Sequence, residues 1–96
     1  MVIVQYMSLF SMDYHLEAAY DISSRRVVET AAAASAALDD LVEKEARFNE
    51  DPSSAEAAAA FHHTDAVYTS ATEELQKAAE LKHAIVAARI KASCDG

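Results

Sequence analysis

Apolar residues return along this chain every three or four positions, the spacing of one helix face, over two stretches separated by a polar island. In the first stretch Tyr20, Val27, Ala34, Leu41 and Phe48 recur every seven residues, with Ser24, Ala31, Leu38 and Glu45 falling between them. Alternating steps of four and three make this an a/d stripe, large at its ends and alanine in its middle, weakened by Ser24 and Glu45. The second stretch repeats the pattern with Phe61, Tyr68 and Leu75, interleaved by Thr64, Ala71 and Ala78. Beyond Ala78 the heptad asks for Lys82 and Arg89, whereas the apolar residues there are Leu81, Ile85, Ala88 and Ala92. The apolar face is therefore expected to drift by about one position, as a straight helix does against a strict heptad.

The island Asn49-Glu50-Asp51-Pro52-Ser53-Ser54 sits almost at the midpoint. Pro52 fits badly inside a helix but well at its first position. Either Asp51 caps a helix that begins at Pro52, or Ser53 caps it with Glu56 closing a capping box. Both readings restart the helix here. The expected fold is all-α, an antiparallel, coiled-coil-like two-helix hairpin over residues 8–96. Helix 1 is expected over about 11–48, starting near Ser8 or Ser11, the turn over 49–53, and helix 2 over about 54–92. Folding about residue 51 sets Leu41 near Phe61, Ala34 near Tyr68, Val27 near Leu75 and Tyr20 near Leu81. Glu73 and Lys77 are spaced as an outward ion pair. Residues 1–7 are β-branched and aromatic, with no partner strand elsewhere, and are expected to form a loose or partner-ordered apolar arm, with an apolar run packed against the hairpin as the main alternative.

Twenty-two alanines give helix propensity but little burial, so a hairpin of 96 residues has a thin core. Self-association, or stabilisation by another protein, is the expected consequence. The formal charge is −8, and residues 1–48 and 49–96 each carry eight acidic and four basic residues. A negative field with only the isolated Arg25-Arg26 pair argues against nucleic acid as a partner. The apolar start is too short to span a membrane and lacks the features of a cleaved secretory signal. A lone cysteine, Cys94, fits a reducing compartment. The expected location is the cytoplasm, with export without a cleaved signal as the alternative.

Candidate chemistry is sparse. Glu80 and His83 match the Glu-x-x-His half-site of carboxylate-bridged metal bundles, with Glu17 and Asp21 expected across the fold, but no second such motif exists. His62 and His63 point about 100° apart on a helix and do not chelate jointly, and His62 is expected to flank Phe61. No nucleophile elbow or Gly-rich phosphate loop is present, and the chain has a single glycine. Neither enzymatic activity nor a cofactor is expected, and a weak metal-binding helical bundle is the last alternative. What remains is a helical surface for another protein. Leu75, Leu81, Ile85 and Val86, with Tyr20 and Leu16 opposite, are the expected partner-binding residues. Tyr20, Tyr68 and Tyr14 can each bury a ring while keeping a hydroxyl wet.

The polar turn 49–54 between two alanine- and glutamate-rich helices resembles the small helical proteins of bacterial type III secretion systems, in outline their needle-subunit co-chaperones. Ala78-Ala79-Glu80-Leu81-Lys82-His83-Ala84-Ile85 gives the second helix a similar flavour. The resemblance spans roughly residues 12–92 and rests on no specific motif. It implies a cytoplasmic hairpin that acts beside a second, repeat-type chaperone and holds a secretion substrate unpolymerised. Needle subunits are themselves hairpins with a proline-bearing turn, so a secreted, self-assembling structural subunit is the rival reading.

Overall fold

The computed structural model describes the backbone of residues 2–95 and the side chains of residues 15–94. Two helices account for nearly all of it: α1 (Val2–Glu50) and α2 (Ala55–Asp95). They lie antiparallel as a rod of 75 × 17 × 14 Å. Its length matches α1 alone, since 49 residues at 1.5 Å each span about 74 Å. The helices run so far because the only proline and the only glycine of the chain stand at 52 and 96. The helical backbone reaches back to Val2, so residues 2–7 continue α1 rather than standing off as a separate arm, and α1 starts well before Ser8. Their β-branched side chains disfavour helix by only tenths of a kcal/mol each, and nothing between them and Ser11 breaks the ladder. Their side chains, like that of Tyr14, lie outside the described residues.

The reversal is tighter than the sequence suggests. α1 continues to Glu50, and the Asp51 N–H still donates to the Arg47 carbonyl at 3.2 Å. The Ser54 N–H then donates to the Asp51 carbonyl at 3.1 Å, closing a four-residue turn with Pro52 at its second position. No described residue has positive φ, which suits a type I turn and excludes type II. Neither expected cap is used. Ser54 is the N-cap: its Oγ accepts from the Ala57 N–H at 3.1 Å, and its carbonyl accepts from the Ala58 N–H at 3.1 Å. Pro52 and Ser53 are spent in the turn, where the Ser53 hydroxyl donates to Asp51 Oδ1 at 2.9 Å. With Ser54 as cap, the third helical position is Ala57, which has no carboxylate to close a capping box.

Between the helices runs a seam whose most buried members are all small: Ser23, Thr30, Ala34 and Ala37 on α1, Thr64 and Ala78 on α2. Half-buried Tyr20, Val27, Leu41 and Phe48 complete it on α1, and Phe61, Tyr68, Ala71, Leu75, Lys82 and Ile85 on α2. Both stripes are strict heptads. On α1 the interleaved positions are Ser23, Thr30, Ala37 and Lys44, one residue before the expected Ser24, Ala31, Leu38 and Glu45. The expected register favoured Leu38, yet Leu38 is exposed. At this layer Ala37 takes the seam and Leu38 is displaced to the flank, since a small side chain lets the two backbones close together.

Hydroxyls in so apolar a seam need partners, and the helix itself supplies them. Thr30 Oγ1 donates to the Arg26 carbonyl at 2.7 Å, Thr64 Oγ1 to the Ala60 carbonyl at 2.7 Å, and Ser23 Oγ to the Tyr20 carbonyl at 3.0 Å. Such back-bonding adds no width to the interface and leaves a methyl group or bare helix surface to face the partner. Ser24 shows the converse. Its Oγ is buried without a hydrogen-bond partner. The Tyr20 carbonyl it would reach already receives the Ser24 amide, four residues on in α1, and the Ser23 hydroxyl, which uses both lone pairs. Lys44 takes a seam position by extending its amine outwards, with Nζ 3.4 Å from Asp40 Oδ1.

Two outcomes follow from the turn and the seam. Ser54→Ala should lower unfolding free energy by about 1 kcal/mol in a denaturant titration, while Pro52→Ala and Ser53→Ala change it little. An equal loss at Ser53 would mean that the cap has been misassigned. Ala37→Leu should cost about 1–3 kcal/mol by forcing the helices apart, whereas Ala32→Leu on the exposed face stays within about 0.5 kcal/mol.

Candidate functional site

The described seam carries aromatic rings in different settings. Beside the turn, Phe48 and Phe61 stack with centroids 5.7 Å apart and planes 13° from parallel, and His62 tilts against Phe61 at 5.7 Å. That end is closed by apolar rings. Further from the turn Tyr20 is a large seam residue, and two cations cover it: Lys82 Nζ lies 5.5 Å and Arg89 Cζ 4.7 Å from its ring centroid. Lys82 and Arg89 are the positions the heptad demands beyond Leu75, so the expected drift does not occur. Each long side chain brings its charge over the ring face, which a cation favours. Leu81, expected opposite Tyr20, is displaced to the flank and is 56% exposed.

The six residues expected to bind a partner are distributed over three places. Leu16, Tyr20, Leu75 and Ile85 are half-buried members of the seam. Leu81 stands exposed on one flank of the hairpin. Val86 is half-buried on the other flank, where it lines a hollow with Tyr20, Arg89, Ile90 and Ser93. The two flanks differ in chemistry. On the Leu81 flank, Thr30, Ala33, Ala66, Val67 and Ala71 floor an open groove of about 580 Å³ between the helices. The Arg26–Glu74 ion pair, 3.4 Å long, crosses this groove, and Glu29 and His63 line it too. This pair is half exposed and adds little stability. Its effect is to mark the groove with one charge of each sign.

Val67 was missed by the heptad reading because it falls one position outside the stripe. The signal that finds it is its seven-residue spacing to Glu74 and Leu81, which places all three on one line along α2. The expected Glu73–Lys77 pair does not form. Lys77 instead meets Glu74, at 3.7 Å. Glu80 is engaged locally, accepting from Gln76 Nε2 at 3.3 Å, and shares with His83 a shallow hollow lined wholly by α2. Among the described residues no three His, Cys, Asp or Glu side chains converge where they could hold a metal ion. None of them lies in a helix long and apolar enough to cross a membrane.

The cation cover on Tyr20 can be weighed directly. A double-mutant cycle of Tyr20→Leu with Arg89→Met should give a coupling of about 0.5–1 kcal/mol in thermal unfolding. Zero coupling would leave the ring contact without energetic meaning. Comparison with known proteins adds no relative from which to argue, since no family model, no curated protein and no solved structure matches this chain.

Proposed function

We propose that this hairpin is a protein-binding chaperone or adaptor that shields an amphipathic helix of another protein. One observation carries the reading. The side chains buried within the hairpin are alanine, serine and threonine, whereas Ile22, Val28, Val42, Val67, Leu81 and Ile90 remain exposed. An ordinary two-helix core would use the large residues first, because burial scales with apolar area. Here the most buried seam positions go to small residues, the large seam residues are only half-buried, and further large apolar side chains face outward, as a scaffold for another helix requires.

The groove on the Leu81 flank suits such a helix. Its floor is apolar, its length follows the seam, and the ion pair at Arg26 and Glu74 offers one polar register mark. The bound helix would lay its apolar stripe along Ala33, Ala66, Val67 and Leu81. Its polar face would stay outward and uncharged or basic, since the surrounding acidic excess disfavours an acidic one. The size, the two alanine-rich helices and the polar turn support the specific form of a type III secretion co-chaperone, cytoplasmic and working with a second chaperone on a secretion substrate.

The test is recovery of a stoichiometric partner from the native cell with the intact chain as bait. Val67→Asp with Leu81→Asp should abolish recovery while the circular dichroism of the helices is retained. Ile85→Asp is a poor probe, because Ile85 belongs to the seam and its loss opens the hairpin itself. Undiminished recovery by the Val67/Leu81 variant would remove the groove from consideration.

A further inference from the structure

We infer that α1 has two seats against α2, exchanged by turning about its own axis, and that the seam described above is one of them. In the second seat Ser24, Ala31 and Leu38 replace Ser23, Thr30 and Ala37 between the helices. The inference does not rest on the adaptor reading, since it concerns how the hairpin packs with itself. Tyr20, Val27, Ala34, Leu41 and Phe48 belong to the seam in both seats, because each stripe is a heptad built on the same five residues. Neighbouring residues stand about 100° apart on a helix, so a turn of about half that exchanges the stripes without sliding or unwinding either helix.

The observed seat leaves three things unsettled that the turn resolves. Ser24 Oγ is buried without a partner while the Ser23 hydroxyl occupies the Tyr20 carbonyl. In the second seat Ser23 faces water, and the carbonyl passes to Ser24. Leu38 is 42% exposed beside a buried Ala37. Turning it inward gains apolar burial and gives up some close approach, so the two terms oppose each other and neither seat wins by a wide margin. Val28 and Val42, 69% and 58% exposed, stand on α1 beyond the Ser24 stripe, where they serve neither seam nor groove. The turn carries them round to the flank that holds Val86.

Little holds α1 against this motion. The Thr30 hydroxyl bonds the Arg26 carbonyl of its own helix and keeps that bond on either face. The Arg26–Glu74 pair must part, but it is half exposed and adds little. As it parts, Arg26 and Ala33 leave the groove on the Leu81 flank, while Val28 and Val42 arrive on the opposite flank. The apolar trough of the rod thus changes sides, and a helix bound on either flank holds α1 in one seat.

Thiol labelling of single-cysteine chains tests this, in a Cys94→Ser background because Cys94 is exposed. The reporters are Ala37→Cys and Thr30→Cys, at positions buried only in the observed seat, and Ala34→Cys, at a position buried in both. Labelling through unfolding accelerates with urea in proportion to the surface exposed, whereas the turn exposes little surface and responds weakly. The expected result is labelling at positions 37 and 30 roughly tenfold or more faster than at 34 without urea, and nearly flat with urea below the unfolding transition. Ala31 is exposed in the observed seat, so Ala31→Gln burdens only the second, where it forces a bulky amide into the seam. It should slow the reporters at 37 and 30 about tenfold or more and leave the one at 34 unchanged. Two reporters on one stripe keep the outcome readable where either substitution disturbs the fold. Reporters at 37 and 30 that follow the one at 34 in rate and urea response overturn the inference, and so do flat responses that ignore Ala31→Gln. No partner enters this assay, so its failure is distinct from failure of the partner-recovery test.

Discussion

Close approach of two backbones governs this molecule. Ser23, Thr30, Ala34 and Ala37 of α1 and Thr64 and Ala78 of α2 are buried because none is large enough to hold the helices apart. A seam of that kind gains less from hydrophobic area than from dispersion between tightly opposed helix surfaces. Its hydroxyls are tolerated because each returns its hydrogen to a carbonyl one turn back, at 2.7 Å for Thr30 and Thr64. A polar group satisfied inside its own helix demands nothing of the other.

The narrow seam has a consequence for everything outside it. Tyr20, Val27, Leu41, Phe48, Phe61, Tyr68, Leu75 and Ile85 are only half-buried in it, and further large apolar side chains stand on the flanks, Val67 and Leu81 on one side, Val28 and Val42 on the other. Core packing and the exposure of these side chains are thus two sides of one constraint. Away from the alanine-rich middle of the seam, aromatic residues replace alanine. Phe48 and Phe61 stack flat enough to fit beside the turn. Tyr20 is roofed by Lys82 and Arg89, whose stems stand where a heptad places leucine. These two basic residues cover the ring.

Much of this was legible in the sequence. Pro52 with its polar neighbours marked the reversal, since no helix interior accepts it. The heptad of Phe61, Thr64, Tyr68, Ala71, Leu75 and Ala78 named the buried face of α2 residue by residue. Capping was harder to read. Asp51, Ser53 and Ser54 are all competent caps, and the choice fell to Ser54 because the turn consumed the other two. Residues 2–7 were judged by β propensity, which gives way when no strand is available to pair with them.

The sequence by itself determined that the chain makes two long helices with one reversal, because propensity, period and a single proline act locally and agree. Which of two overlapping stripes on α1 would be buried was decided only by the tertiary structure. Val27, Ala34 and Leu41 belong to the seam on either choice, and the interleaved set was either Ser24, Ala31 and Leu38 or Ser23, Thr30 and Ala37. Hydrophobicity favours the first set and close packing the second, and the comparison is not local, because it depends on the small residues α2 brings to the contact. Once Ala78 and Thr64 stood opposite, distance between backbones outweighed side-chain area, and the stripe that carries Leu38 was left exposed.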